Sequence, residues 1–420
     1  MILAHRIRLD PNSVQQTWLE RCAGAARFAY NWGLARWRDQ YAASEQPNWY
    51  KLNVELNARK KTDLAWLCEI PWKVASQALE NLGSAFGHFF RRVKLGENPG
   101  YPRFKKKGRC RDGFSIEARR LVFDERRVRV PKLGWLRMRE IVRFPGKILS
   151  ARFSKRADHW YVSVQIEVDA SWIYPHCETQ AVVGVDLGVV DLAVLSSGER
   201  VRAPRALRKA EPRLRLLNKE LHRRKRGGAN RERTRAKLAR LHERVANIRR
   251  DVTHKLTTSL VRRFRYIGVE DLHVVGLQRS RLAKSVSDAA MGEVLRQLAY
   301  KAPLAGADLI VADRWFPSSK VCSTCGVVRE KLALGERRWT CTSCGVEHDR
   351  DENAAKNLRD LAAAYAVTAC RHGSAGTPRS TKLPSGQEGG VHDSSTGRVE
   401  VQPADDRAQA AVGDGYGSFR

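Results

Sequence analysis

The chain has 420 residues, with 77 Lys/Arg against 45 Asp/Glu and a formal charge of +32. This length allows about two to four domains and a sizeable core. No apolar run approaches a membrane span, and "MILAHRIRLD" is too short and too charged for a secretory signal, so the composition excludes a membrane protein and points to a cytoplasmic, nucleoid-associated one.

Residues 2–9 read as a short strand. The stretch from Asp10 to Tyr41 reads as a helix, with Asp10 as its cap and Pro11 at the first position. Its aromatics, Trp18, Phe28, Tyr30, Trp32 and Trp37, suit a core more than a base-stacking surface. A second helix is expected over 72–95. Residues 91–111 carry nine Lys/Arg against one Glu and contain Gly and Pro, so they read as a basic loop. Arg103, Lys105, Lys106 and Lys107 there suit phosphate contact, with a solvated charge run as the alternative. Residues 113–170 alternate or cluster apolar residues between turn signals and predict a small barrel or sheet.

"AVVGVDLGVVDLAVLSSGER" (181–200) reads as two strands joined by a short turn. Leu214, Leu217 and Leu221 begin an amphipathic helix. After "RGGAN" a long one follows, because Leu238, Leu241, Val245, Ile248, Val252, Leu256 and Leu260 step by three or four. The outer faces of both are basic, and Arg223, Arg224 and Lys225 between them are further nucleic-acid candidates. "YIGVEDL" is a strand, and "GADLIVADRWFP" is another after a helix near 288–303. Past Gly373 the chain turns Gly/Ser/Pro/Asp-rich, which predicts a disordered tail over 373–420. That tail holds five Lys/Arg and six Asp/Glu, so the positive excess lies in the first 372 residues. A folded body this positive repels itself unless a polyanion shares its space, and nucleic acid is the expected partner.

Cys322, Cys325, Cys341 and Cys344 form C-x2-C, fifteen residues, C-x2-C. Each pair offers two thiolates from one tight knuckle, with Gly326 and Gly345 permitting the turns. Two knuckles complete a closed, all-sulfur zinc site, which is structural because four thiolates leave no open position. The catalytic candidates are carboxylates. Asp186 in "VVGVDLGV" and Glu270 in "IGVEDL" each end an apolar strand, and each has a glycine two residues back on the same face, leaving room beside the acid. In "HDRDENAAKNL", Ala354, Ala355, Leu358, Leu361 and Ala362 follow Asp351 on one helical face. Asp351 then faces the sheet from the first turn, and it is favoured over Asp349 for that reason. The bland reading is a first-turn acid complementing the helix dipole. Asp191, Asp271, Asp349 and Glu352 stand as substitutes or surface charges. Buried carboxylates are paired or bind metal, and three of them with room for water and phosphate suit Mg²⁺, two ions being able to activate a water and stabilise the leaving oxygen of a phosphodiester.

Together these stretches resemble the TnpB/OrfB family of insertion-sequence proteins, relatives of the type V CRISPR effectors. The match rests on "GVDLGVVDLAVLSSG", "GVEDLHVVGL" and the segment from "RWFPSSKVCSTCG" to "HDRDENAAKNL". It also takes in the N-terminal "RIRLDPNSVQQTWLERCAGAARFAYNWGL" and "GYPRFKKK". The resemblance implies an α+β, α/β multidomain protein. Its parts are a β-barrel wedge domain over 1–10 and 96–172, a helical recognition lobe over 11–95, an RNase H-like (RuvC) nuclease domain over 181–311 and 347–372, and an inserted zinc ribbon over 312–346. It places the catalytic triad on Asp186, Glu270 and Asp351. It implies cleavage of double-stranded target DNA, directed by a guide RNA transcribed from the transposon end, with one protein chain per RNA. The alternatives are a DNA strand transferase and a guided repressor that does not cut.

Overall fold

The computed structural model describes residues 1–169, 181–333 and 335–371. The tail expected over 373–420 and the end of the 96–172 segment lie outside the described residues.

The N-terminal half is built on one hydrophobic core. Strand β1 (Ile2–Arg8) leads into helix α1 (Ser13–Ala42), followed by α2 (Trp49–Arg59) and α3 (Trp72–Lys94). The strands β2 (Gly113–Glu117), β3 (Val122–Asp124), β4 (Arg127–Val130), β5 (Gly134–Arg137), β6 (Lys147–Arg156) and β7 (His159–Glu167) come next. They form an antiparallel sheet of order β1-β7-β6-β2 and a second sheet of order β3-β4-β5. Leu19, Leu34, Leu79 and Leu82 from the helices share this core with Phe114, Phe153 and Trp160 from the strands.

Two details differ from the sequence reading. Helix α1 is capped by Asn12, not Asp10: the Asn12 side chain accepts from the Gln15 backbone N–H, and the Gln15 side chain accepts from that of Asn12. This reciprocal pair satisfies two N-terminal donors at once. Asp10 is engaged elsewhere, pairing with Arg139 at 3.0 Å. Helix α3 keeps the expected 72–95 extent, so Arg91, Arg92 and Lys94 at the start of the basic 91–111 segment lie in its last turn and not in a loop. Cations in a last turn complement the helix dipole.

The second core surrounds a five-stranded sheet. Its strands are β8 (Val182–Asp186), β9 (Asp191–Leu195) and β10 (Arg200–Arg202), then β11 and β12 after the helical pair α4 (Ala206–Arg223) and α5 (Ala229–Arg263). β11 (Tyr266–Glu270) precedes α6 (Val274–Leu277), α7 (Ala283–Ala289) and α8 (Met291–Leu304), and β12 (Asp308–Ala312) follows them. The order is β10-β9-β8-β11-β12, with β8, β11 and β12 parallel and β9 antiparallel to both neighbours. The short hairpin β13 (Arg338–Thr340) and β14 (Glu347–Asp349) leads to the last helix, α9 (Arg350–Arg371).

Val183, Val185, Ile267 and Val269 face one side of the sheet and pack with Leu256, Leu260 and Val261 of α5 and Val294 and Leu298 of α8. The period-2 alternation leaves Gly184, Asp186, Gly268 and Glu270 on the other side, beneath α9. The expected stripe of α5 holds at Val245, Leu256 and Leu260, but Ile248 is 39 % exposed. It lines an open cleft of about 390 Å³ with Arg8, Tyr161, Arg240 and Arg244. The inward positions of α5 also include Thr253 and Thr257, which meet Gln297 and Lys301 of α8. The Lys301 ammonium donates to Thr257 at 2.7 Å and Thr258 at 2.9 Å. Burial holds this lysine down at about 8.

Candidate active site and metal centre

Asp186 and Glu270 end the parallel neighbours β8 and β11, whose register pairs Val185 with Val269. The acids therefore emerge side by side at the C-terminal edge of the sheet. Helix α9 brings Asp351 to the same edge. Asp349 accepts from the backbone N–H groups of Asp351 and Glu352, both at 3.1 Å, and so caps α9. Asp349 also pairs with Arg200 at 2.9 Å. Those ties occupy Asp349 and leave Asp351, two residues on, to face the sheet.

The face on which α9 rests is made by glycine. Gly184 lies opposite Gly268 in the β8–β11 register. A Cβ at Gly184 would fall within 3.0 Å of the Ala355 carbonyl and the Arg359 nitrogen, and one at Gly268 would meet the Leu358 carbonyl. The space beside the acids, read from sequence as room for a ligand, is filled by the backbone of α9. Ala354, Ala355, Leu358 and Ala362 are buried there.

The neighbouring carboxylates act on Asp186. Burial, first, and then the charges of Glu270 and Asp351 hold the Asp186 carboxyl well above the usual carboxylate range, while Arg350 and Arg337 pull the other way. An acid raised by neighbouring acids is a group short of positive charge. Arg337 answers part of this by pairing with Asp351 at 3.0 Å. The Ser318 hydroxyl donates to Glu270. Asp191 and Glu352 are bound to Arg200, and Asp271 to Arg314 at 3.0 Å, so the substitute acids are engaged in ion pairs.

The cysteines form a tighter group. The Sγ atoms of Cys322, Cys325, Cys341 and Cys344 all lie within 4.8 Å of one another, and among the described residues no group of acids or histidines is gathered as closely. Cys322–Cys344 and Cys325–Cys341 are each 3.6 Å apart. A tetrahedral zinc with Zn–S near 2.3 Å needs sulfur–sulfur edges of about 3.8 Å, so the quartet fits that ion. Gly326 and Gly345 take φ values of +78° and +70°, the left-handed turns that the two knuckles require. His348 closes one side, with Nε2 3.0 Å from Cys322 Sγ and its ring against Trp339.

Two buried asparagines join this module to α9. Asn353 and Asn357, one turn apart, both donate to the Val321 carbonyl at 2.7 Å, and Asn357 donates to the Ser318 carbonyl at 2.7 Å. The Ser323 N–H donates to Asn353 at 2.9 Å. Sequence reasoning does not single out Asn357 or Ser318. The detectable signal was two asparagines at i, i+4 on an otherwise apolar face.

The basic candidates separate. Arg103, Lys106 and Lys107 are exposed. Lys105 is turned inward: its ammonium lies 3.6 Å from the Tyr30 ring centre, and burial lowers it to about 8. Arg223 and Lys225 are exposed at the α4–α5 turn, whereas Arg224 binds Glu220 and the Asn230 carbonyl within it.

Comparison with known proteins gives three family matches: a "Probable transposase" model of the OrfB_IS605 type over residues 161–281, a "Cas12f1-like, TNB domain" over 292–358, and a "Helix-turn-helix domain" over 1–46. Within 1–46 the fold has a strand and one 30-residue helix. The chain is 36 % identical over 420 residues, 97 % of its length and 98 % of the other's, to a Streptomyces pristinaespiralis protein named "Putative RNA-guided DNA endonuclease". It is 31 % identical, over 87 % of its length and 93 % of the other's, to the Escherichia coli K12 protein "Putative RNA-guided DNA endonuclease InsQ". A "CRISPR-associated endodeoxyribonuclease Cas12f1" of Sulfoacidibacillus thermotolerans is 23 % identical over 48 % of this chain and 50 % of its own. Among the described residues no helix is long and apolar enough to cross a membrane.

Proposed function

The chain belongs to the TnpB/OrfB family, and from that premise we propose that it is an RNA-guided, Mg²⁺-dependent DNA endonuclease. The observation that carries this reading is the convergence of the acids: the β8–β11 register sets Asp186 beside Glu270, and the charges of Glu270 and Asp351 both raise Asp186. The strand order β10-β9-β8-β11-β12 supports an RNase H-like reading of residues 181–311 and 347–372. The cysteine quartet supports a zinc ribbon over 312–346. Residues 1–10 and 96–172 form the wedge and 11–95 the recognition lobe, with guide RNA and target DNA bound by the positive body as one chain per RNA.

In this reading Asp186, Glu270 and Asp351 hold the catalytic cations through carboxylate oxygens. Bound Mg²⁺ supplies a water nucleophile at neutral pH and stabilises the leaving oxygen. Ser318 fixes the Glu270 carboxylate by donating to it, and α9 carries Asp351 to a set height above the sheet. Arg337 neutralises Asp351, a charge that a bound cation would share. The zinc-bound sulfurs hold the ribbon that presents Ser318 and Arg337. The exposed cations Arg103, Lys106, Lys107, Arg223 and Lys225 contact phosphates.

The test is to purify the chain with its RNA, sequence that RNA, and supply DNA matching the guide. A discrete transcript ending at the element boundary, and cutting that Asp186→Ala abolishes while RNA remains bound, are the expected results. Absence of cutting in the parent protein would leave a guided repressor. Joined rather than free ends would leave a strand transferase.

A further inference from the structure

Trp315 is 84 % exposed, more than any other large apolar side chain among the described residues. It lies in the connection from β12 to the first cysteine knuckle, and that connection is braced at both ends against the same corner of the sheet. Arg314 pairs with Asp271 at 3.0 Å, and Ser318 donates to Glu270. Just before Arg314, the Asp313 carboxylate accepts from the Trp315 N–H at 2.9 Å, and the Asp313 carbonyl accepts from the Phe316 N–H at 3.0 Å. The indole is thus held at the crown of a short, hydrogen-bonded turn beside an acid that the nuclease reading places in the reaction.

A large aromatic ring facing water contributes nothing to the core, and its face is free to take a partner. The neighbouring groups narrow the choice. A strand whose phosphate reaches Glu270 must run past this turn, and its bases, unpaired in order to enter a site between a sheet edge and a helix, carry bare π faces. Stacking of a base on an aromatic ring is strong and indifferent to sequence, because every base has such a face. We propose that Trp315 is a stacking platform for one unpaired base of the DNA strand being cut, and that it sets which phosphate lies over the acids. This inference rests on the nuclease reading above.

The test places 2-aminopurine singly at positions flanking the cut in the target strand. The complexes are made with Asp186→Ala, which holds DNA uncut, and with Asp186→Ala/Trp315→Ala. One position should be quenched in the first complex and brighten several-fold in the second. In the active protein, Trp315→Ala should slow cutting by about 5- to 100-fold and spread it over adjacent phosphates, while Trp315→Phe keeps most of the rate and the position. Cutting by the parent protein together with unchanged rate, position and fluorescence in Trp315→Ala would overturn the stacking role alone. No cutting by the parent protein would overturn the nuclease reading and the inference with it.

Discussion

Gly184 and Gly268 stand opposite each other on the parallel strands β8 and β11, and together they form the flat ground on which α9 lies. Each precedes an acid by two residues on the same strand face, so one dipeptide step sets both the height of the helix and the exit of the carboxylate.

Replacing either glycine should move the helix. A Cβ at Gly184 would run into backbone atoms of α9, which cannot swing aside as a side chain can. Gly184→Ala should cost about 1–3 kcal/mol or more in urea unfolding and reduce cutting by at least ten-fold. Gly87, whose added Cβ would meet nothing within 4 Å, is the control: Gly87→Ala should leave cutting unchanged. Equal behaviour of the two variants would refute the close-approach argument.

Asn357→Leu should leave the Ser318 carbonyl with only the longer 3.4 Å contact from Asn353, while the Val321 carbonyl keeps its Asn353 donor. The expected loss is about 1–3 kcal/mol, with faster proteolysis of residues 320–346. Ser318→Ala removes only the donor to Glu270. It should lower kcat about ten-fold, as expected for loss of one hydrogen bond of about 1.5 kcal/mol to a charged group, and leave the DNA Kd of the Asp186→Ala background unchanged. A change confined to that Kd would place Ser318 in DNA binding instead.

The two kinds of metal should separate on removal. Stripping zinc should open the 312–346 module to protease and end cutting even with Mg²⁺ restored, because the module carries Ser318 and Arg337. Removing Mg²⁺ alone should stop cutting and leave the protease pattern as it was. Identical patterns after both treatments would argue against separate structural and catalytic sites.

Lys301 predicts a pH effect. Its proton is lost at about 8 in the fold and near 10.4 in the unfolded chain. Between these values the unfolded chain binds more protons, so stability rises with pH across that window. The rise should approach about 3 kcal/mol and be absent in Lys301→Met. Parallel pH profiles for the two proteins in urea titrations would contradict this assignment.

The parts of the site visible in sequence were those that violate a local expectation. Asp186 and Glu270 put charge at the ends of strands that otherwise read as core, and the cysteine spacing carries its own geometry. Burial of Ala354, Ala355 and Leu358 follows from periodicity alone. What escaped the sequence reading depends on distant partners. The Gly184–Gly268 pair makes sense once α9 is seen on top of it, and Ser318 reads as a loop serine until Glu270 accepts from it. Lys105 sits in a basic run that reads as phosphate-binding or solvated, yet its ammonium lies inward over Tyr30, seventy-five residues earlier. The Asp10 cap failed for a simpler reason: Asn12 and Gln15 satisfy two donors where Asp10 would satisfy one.

The sulfur-rich insert leaves the sheet after β12 and returns as α9, and both its entrance and its exit are fastened to that one helix, through Asn353 and Asn357 at one side and the Asp349 cap at the other. An insert clamped at its base works as a cassette. Its far end can lengthen, shrink or accept a grafted segment without re-aiming the carboxylates, and an engineer seeking to append a new surface to this molecule should splice it there.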